Sequence, residues 1–78
     1  MKIKIVTHGY LLSRERYMEE LEAEAVAGQN PVSSLLSSIG LDPAGRFAIF
    51  VDRKRVKGET AILQEGIQVD IFSIVGGG

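Results

Sequence analysis

Cysteine is absent from all 78 residues. That excludes a disulfide scaffold, a thiolate zinc site and a cysteine nucleophile together. Long apolar runs are absent too: none approaches the roughly 20 residues that span a bilayer. The apolar stretch at the N-terminus is interrupted by Lys2 and Lys4 and is too short for a signal peptide. A cytosolic protein without membrane contact is expected. An excess of charge is also missing. The net charge is −1 and the pI about 5.7, so no global positive field is available to hold nucleic acid. With 8.5 kDa of chain there is room for one domain. What is present suits a folded chain: 45% hydrophobic and 24% charged residues, against the polar, charge-rich composition of disorder.

Lys2 to His8 alternates, with Ile3 and Ile5 on one face and Lys2, Lys4 and Val6 on the other, which predicts a strand ended by Gly9. Tyr10 to Arg16 reads as a loop. Tyr17 to Ala27 fits two templates. Met18, Leu21 and Ala25 have helical spacing, and Glu, Ala and Leu favour helix. Leu21, Ala23 and Ala25 also alternate with Glu20, Glu22 and Glu24. A strand is preferred, because the first strand needs a near partner and sequential strands usually pair.

Gly28 to Gly40 predicts a helix of about nine residues, with Asn30 as N-cap and Pro31 in the first helical position. Val32, Leu35, Leu36 and Ile39 form one apolar stripe, and Gly40 stands where a left-handed C-cap belongs. Leu41 to Gly45 is a turn region. Arg46 to Asp52 reads as a strand apolar on both faces, hence central in its sheet. Asp52 to Arg55 would be a hairpin turn, with a return strand from Val56. Thr60 to Gln64 is expected as a turn of helix. Ile67 to Ile74 is the last strand, with Ile67, Val69 and Ile71 facing one way and Asp70 and Phe72 the other. This order predicts an α+β fold, a β-grasp (ubiquitin-like) roll. Its mixed sheet has four to five strands with one main helix packed across it.

Residues 1–75 would form that domain and residues 76–78 a flexible glycine tail. Three final glycines have a chance of roughly 0.15% even at this chain's raised glycine content. Glycine has no Cβ, so Gly76 and Gly77 could thread a channel that any side chain would block. Ordering Gly76, Gly77 and Gly78 would cost roughly 3–6 kcal/mol with no side chain buried in return, so a partner must supply the compensation. The chemical handle is the α-carboxylate of Gly78. A carboxylate resists nucleophilic attack, so it becomes an acyl donor only when activated, for example by ATP as an acyl-adenylate. A sulfur or amine nucleophile can then displace AMP.

These residues resemble the ThiS/MoaD family of ubiquitin-like sulfur carriers. The likeness lies in Pro31 to Leu41, in Phe47 to Asp52 with Arg55-Val56, in Thr60 to Gly66, in Val69 to Phe72, and in Val75-Gly76-Gly77-Gly78. The resemblance implies a carrier with no catalysis of its own and no permanently bound cofactor, and a monomer when free. It implies an E1-like enzyme that supplies ATP and Mg²⁺ and adenylates Gly78. A persulfide donor then gives a thiocarboxylate. The acceptor is either thiazole synthase, for thiamin, or the large subunit of molybdopterin synthase. The triple glycine leans to ThiS and the length to MoaD, which leaves the pathway open. Three departures stand out. Asp52-Arg53 replaces the usual Asn-Gly, which predicts a longer hairpin loop. Ile67 replaces an acidic residue, and Ser73-Ile74 replaces a double proline.

Phe50 and Phe72 each lie opposite their strand's main apolar face. They are either core or an exposed patch that, with Ile74 and Val75, docks a partner beside the tail. Arg53, Lys54, Arg55 and Lys57 form a basic turn, read as solvated charge or as a docking site for an acidic surface; no aromatics are interleaved for nucleic acid. The run of Glu15, Glu19, Glu20, Glu22 and Glu24 reads as a solvated face. His8, without an obvious carboxylate partner, reads as a strand-end polar residue. The helix serines read as its wet face. No triad, phosphate loop or metal spacing is present, so an enzyme is disfavoured. Besides a sulfur carrier, two readings remain: a ubiquitin-like modifier joined to lysine, and a non-covalent interaction module.

Overall fold

In the computed structural model, residues 1–74 are described; Val75, Gly76, Gly77 and Gly78, and the tail expected there, lie outside the described residues. The elements are β1 (Lys2–His8), β2 (Met18–Glu24), β3 (Gly28–Pro31), α1 (Val32–Ser38), β4 (Phe47–Val51), β5 (Lys54–Arg55), β6 (Thr60–Leu63) and β7 (Gln68–Ser73). Five strands form one mixed sheet in the order β2-β1-β7-β4-β5. β1 pairs antiparallel with β2 and parallel with β7, and β4 pairs antiparallel with β7. The helix covers one face, as a β-grasp requires. Between them lies the core: Ile3, Ile5, Leu35, Leu36, Leu41, Ile49, Ala61, Leu63, Val69 and Ile71. Among the described residues no helix is long and apolar enough to cross a membrane.

β2 forms despite its helix-favouring residues. Leu21 and Ala23 lie opposite Ile5 and Ile3 and pack against the core, while Glu20, Glu22 and Glu24 stay exposed. Pairing with β1 outweighs propensity.

Four expectations need correction. The helix is shorter than its signals, because Gly28–Pro31 is a strand paired with β6, from Gly28↔Leu63 to Pro31↔Thr60. Asn30 therefore caps nothing: its Nδ2 donates to the carbonyls of Val26 (2.6 Å) and Gly28 (3.1 Å). Pro31 takes the N-cap place without a side-chain bond, and the Val32 N–H donates to the Glu59 carbonyl at 2.8 Å. Second, Thr60–Leu63 is a strand, not a turn of helix. Ala61 and Leu63 are buried and Thr60 and Ile62 exposed, the two-residue period of a sheet. Third, β4 is second from the sheet's edge, and β7 holds the centre. Fourth, the hairpin loop is short. Val51 pairs with Lys54, β5 begins at Lys54 rather than Val56, and Asp52 and Arg53 have φ of +51° and +65°. Two consecutive positive φ angles mark a type I′ turn, whose twist matches that of the flanking strands.

The helix C-terminus agrees with its sequence signal. Gly40, at φ +85°, donates to the Ser37 carbonyl (3.1 Å), and Leu41 donates to Leu36 (2.9 Å). That pair of bonds is a Schellman motif, with buried Leu41 as its apolar contact.

Candidate functional site

Strand register sorts the side chains of the sheet onto two faces. Ile3, Ile5, Val69, Ile71 and Ile49 point to the helix. On the outer face, one row across the strands reads Glu20, Val6, Asp70, Phe50, Arg55, and the next reads Met18, His8, Phe72, Ala48. The second row is the one from which β7 leads to Ser73 and Ile74. Ile74 extends the pairing by one bond, its N–H donating to the Arg46 carbonyl at 3.1 Å.

Phe50 and Phe72 meet in this face and take no part in the core. Their rings are 5.5 Å apart at 81°, an edge-to-face contact. Phe72 is exposed and Phe50 half-buried, and Ile74 beyond them is exposed. The fourth expected docking residue, Val75, lies outside the described residues, as do Gly76, Gly77 and Gly78.

His8 corrects the sequence reading, because it does have a carboxylate partner. Its Nε2 lies 2.9 Å from Asp70 Oδ2, with the ring N–H donating. The other oxygen, Oδ1, accepts from Gln68 Nε2 at 3.0 Å. The imidazole also stacks on Phe72, with centroids 4.1 Å apart and planes 7° apart. His8 thus supports the exposed aromatic ring from one side while Phe50 supports it from the other. Asp70 closes the arrangement, since it fixes the imidazole plane. A cavity of about 280 Å³ opens here, lined by Phe50, Arg53, Gln68, Asp70 and Phe72.

Nothing in the residue spacing marks His8 and Asp70 as partners. They stand 62 positions apart and meet only through the parallel β1–β7 register. Exposed Met18, Tyr10 and Tyr17 also gather at this end of the sheet. The two tyrosine rings meet edge-to-face at 5.3 Å, and the Gly9 and Tyr10 N–H groups both donate to the Tyr17 carbonyl. An ideal Cβ on Gly9 would sit 3.9 Å from that of Ser73, so this connection borders the end of β7.

Charge is divided across the sheet. On the β2 side, Lys4 pairs with Glu20 (3.2 Å), Lys2 with Glu22 (3.9 Å) and the N-terminal ammonium with Glu24 (3.5 Å). On the β5 side, Arg53, Lys54, Arg55 and Lys57 make no ion pair among the described residues. Among the described residues no three His, Asp or Glu side chains are grouped to hold a metal.

A five-stranded mixed sheet clasping one helix, with an aromatic pair on its outer face where its central strand ends, is the body of a ubiquitin-like β-grasp protein. The family follows from comparison: the ThiS family model matches residues 12–78. The chain belongs to the ThiS family, whose members are small ubiquitin-like sulfur carriers rather than enzymes and work with E1-like adenylating enzymes and synthases. Comparison with curated proteins and with solved structures gave no match.

Proposed function

We propose that the chain carries sulfur on the carboxyl group of Gly78, and that the Phe50–Phe72 face docks the proteins that act there. The supporting observation is the family match, which runs through Gly76, Gly77 and Gly78. A Gly78 carboxylate oxygen attacks the α-phosphorus of ATP held with Mg²⁺ by an E1-like enzyme. Pyrophosphate leaves and an acyl-adenylate remains. The terminal sulfur of a persulfide then attacks the acyl carbon and expels AMP. A thiol cleaves the resulting S–S bond, which leaves the thiocarboxylate and a disulfide. The carrier delivers that sulfur to a synthase, either thiazole synthase or the large subunit of molybdopterin synthase.

Reach ties the chemistry to the docking face. Four residues follow Ile74, and a chain of four spans at most about 14 Å. Whatever acts on Gly78 must therefore come within about that distance of Ile74, which brings the neighbouring Phe72 and Phe50 within reach of its surface. The test is co-expression with the E1-like enzyme and a persulfide source, followed by intact mass. Replacement of one oxygen by one sulfur at Gly78 is expected. An unmodified chain, or lysine-linked adducts in place of the sulfur exchange, would overturn the proposal.

A further inference from the structure

We infer that Arg53 is a specificity-determining contact of the docking face, built to receive a carboxylate side chain of the adenylating partner. The inference rests on the docking role proposed above and names the chemistry that the partner must present.

Three observations converge on Arg53. The first is its backbone. Arg53 holds φ +65° in a two-residue turn, where a glycine would sit without strain. Left-handed conformations of long side chains are unfavourable and persist where something else requires the residue. The second is its position. Arg53 lines the same cavity as Phe50 and Phe72, the two rings proposed as anchors. The third is its lack of a partner. Asp70 lines that cavity too, yet its two oxygens are engaged by His8 and Gln68. Arg53 therefore lines a cavity whose one carboxylate is held by His8 and Gln68, and it makes no ion pair with that carboxylate or with any other among the described residues.

The rest of the sheet supplies the contrast. Lys2 and Lys4 each have a glutamate opposite, so the β1–β2 side is neutralised from within. The β4–β5 side keeps Arg53, Lys54, Arg55 and Lys57 uncompensated, with Arg55 in register with Phe50 on the outer face. An acidic partner surface fits that side and not the glutamate edge, so charge also sets the docking orientation. A guanidinium suits this task because it can bind a carboxylate through two parallel hydrogen bonds.

The test is Arg53→Gly and Arg53→Lys in the full chain, with the purified E1-like enzyme from the same genome, ATP and Mg²⁺. ATP–pyrophosphate exchange is followed against carrier concentration. Arg53→Gly should raise the carrier KM by roughly 10- to 100-fold with kcat little changed, the range expected for a lost charge-assisted contact. It should also flatten the salt dependence of KM. At the same time its Tm should equal or exceed that of the wild type, because the turn is relieved. Arg53→Lys keeps the charge without the fork and should fall between. Wild-type KM in Arg53→Gly, or a lowered Tm, would overturn the inference while leaving the carrier role intact. No exchange with the wild-type chain would overturn both.

Discussion

Ile71 and Phe72 are sequence neighbours in the central strand, and their alanine variants should separate folding from docking. Ile71 is 0% exposed and lies in the core, whereas Phe72 is 38% exposed on the opposite face. Truncating a buried isoleucine removes transfer energy and leaves a cavity, about 2–5 kcal/mol in all. A domain of this length has a total stability of roughly 4–12 kcal/mol. Ile71→Ala should therefore remove about a sixth of it at the least and lower Tm by about 10–40 °C. Phe72→Ala leaves no core cavity. It loses the stack on His8 and the edge contact with Phe50, at about 0.5–1.5 kcal/mol each, against a partly covered ring. A loss of about 1–3 kcal/mol follows. Urea unfolding followed by circular dichroism measures both. The activation assay should rank them in the opposite order: at a temperature where both are folded, Phe72→Ala raises the carrier KM about tenfold or more, and Ile71→Ala leaves it near wild type. Equal destabilisation by the two variants would refute the assignment of faces. An unchanged KM in Phe72→Ala would refute the docking role.

Removing His8 should uncouple the cluster around it. His8→Ala is expected to cost about 1 kcal/mol, and a double-mutant cycle with Phe72→Ala by urea unfolding should give a coupling of about 0.5–1.5 kcal/mol; strictly additive losses would mean that the stack carries no energy. Gly40→Ala meets no atom within 4 Å, yet its φ of +85° should make it lose about 1–2 kcal/mol, read as a lowered Tm. Deleting Gly77 and Gly78 should abolish the oxygen-to-sulfur exchange in intact mass, and its persistence would move the reactive group elsewhere.

The strands that could be read from the sequence are those whose alternation is set by burial. Ile3 and Ile5 in β1 and Val69 and Ile71 in β7 show the two-residue period because one face packs on the helix. β2 was legible for the same reason, once its pairing with β1 was given more weight than its glutamates. β3 and β6 were not. Asn30-Pro31 before an apolar stripe imitates a capped helix start, and the competing signal is a pairing with a strand about thirty residues away. In Thr60–Leu63 the alternation lies in burial and not in residue type, since Ala61, Ile62 and Leu63 are all apolar, and four such residues cannot be told from a helical turn. The turn at Asp52-Arg53 was misjudged because local preference argued against two left-handed residues there. Sheet twist imposed them all the same. At the site, Phe50 and Phe72 were visible as apolar residues on the wrong face. Their supports were invisible, because His8, Asp70 and Gln68 come together through register and not through spacing.

β7 explains why the proposed docking face sits where it does. It is the central strand, flanked by β1 and β4, so its backbone is held from both sides. Its inward residues Val69 and Ile71 close the core, while Gln68, Asp70 and Phe72 build the outer cluster. The two-residue period keeps these tasks on separate side chains, so the docking chemistry can change without loss of the core. The strand ends at Ser73, and in sequence the glycines follow two residues later. A partner resting on Phe72 therefore grips the most constrained part of the sheet and thereby fixes the point from which residues 75–78 start. Placement matters to that partner, since small errors in the position of a reacting group cost rate steeply. A loop-borne patch would give away that precision, because sites built on strands hold their geometry better than sites built on loops.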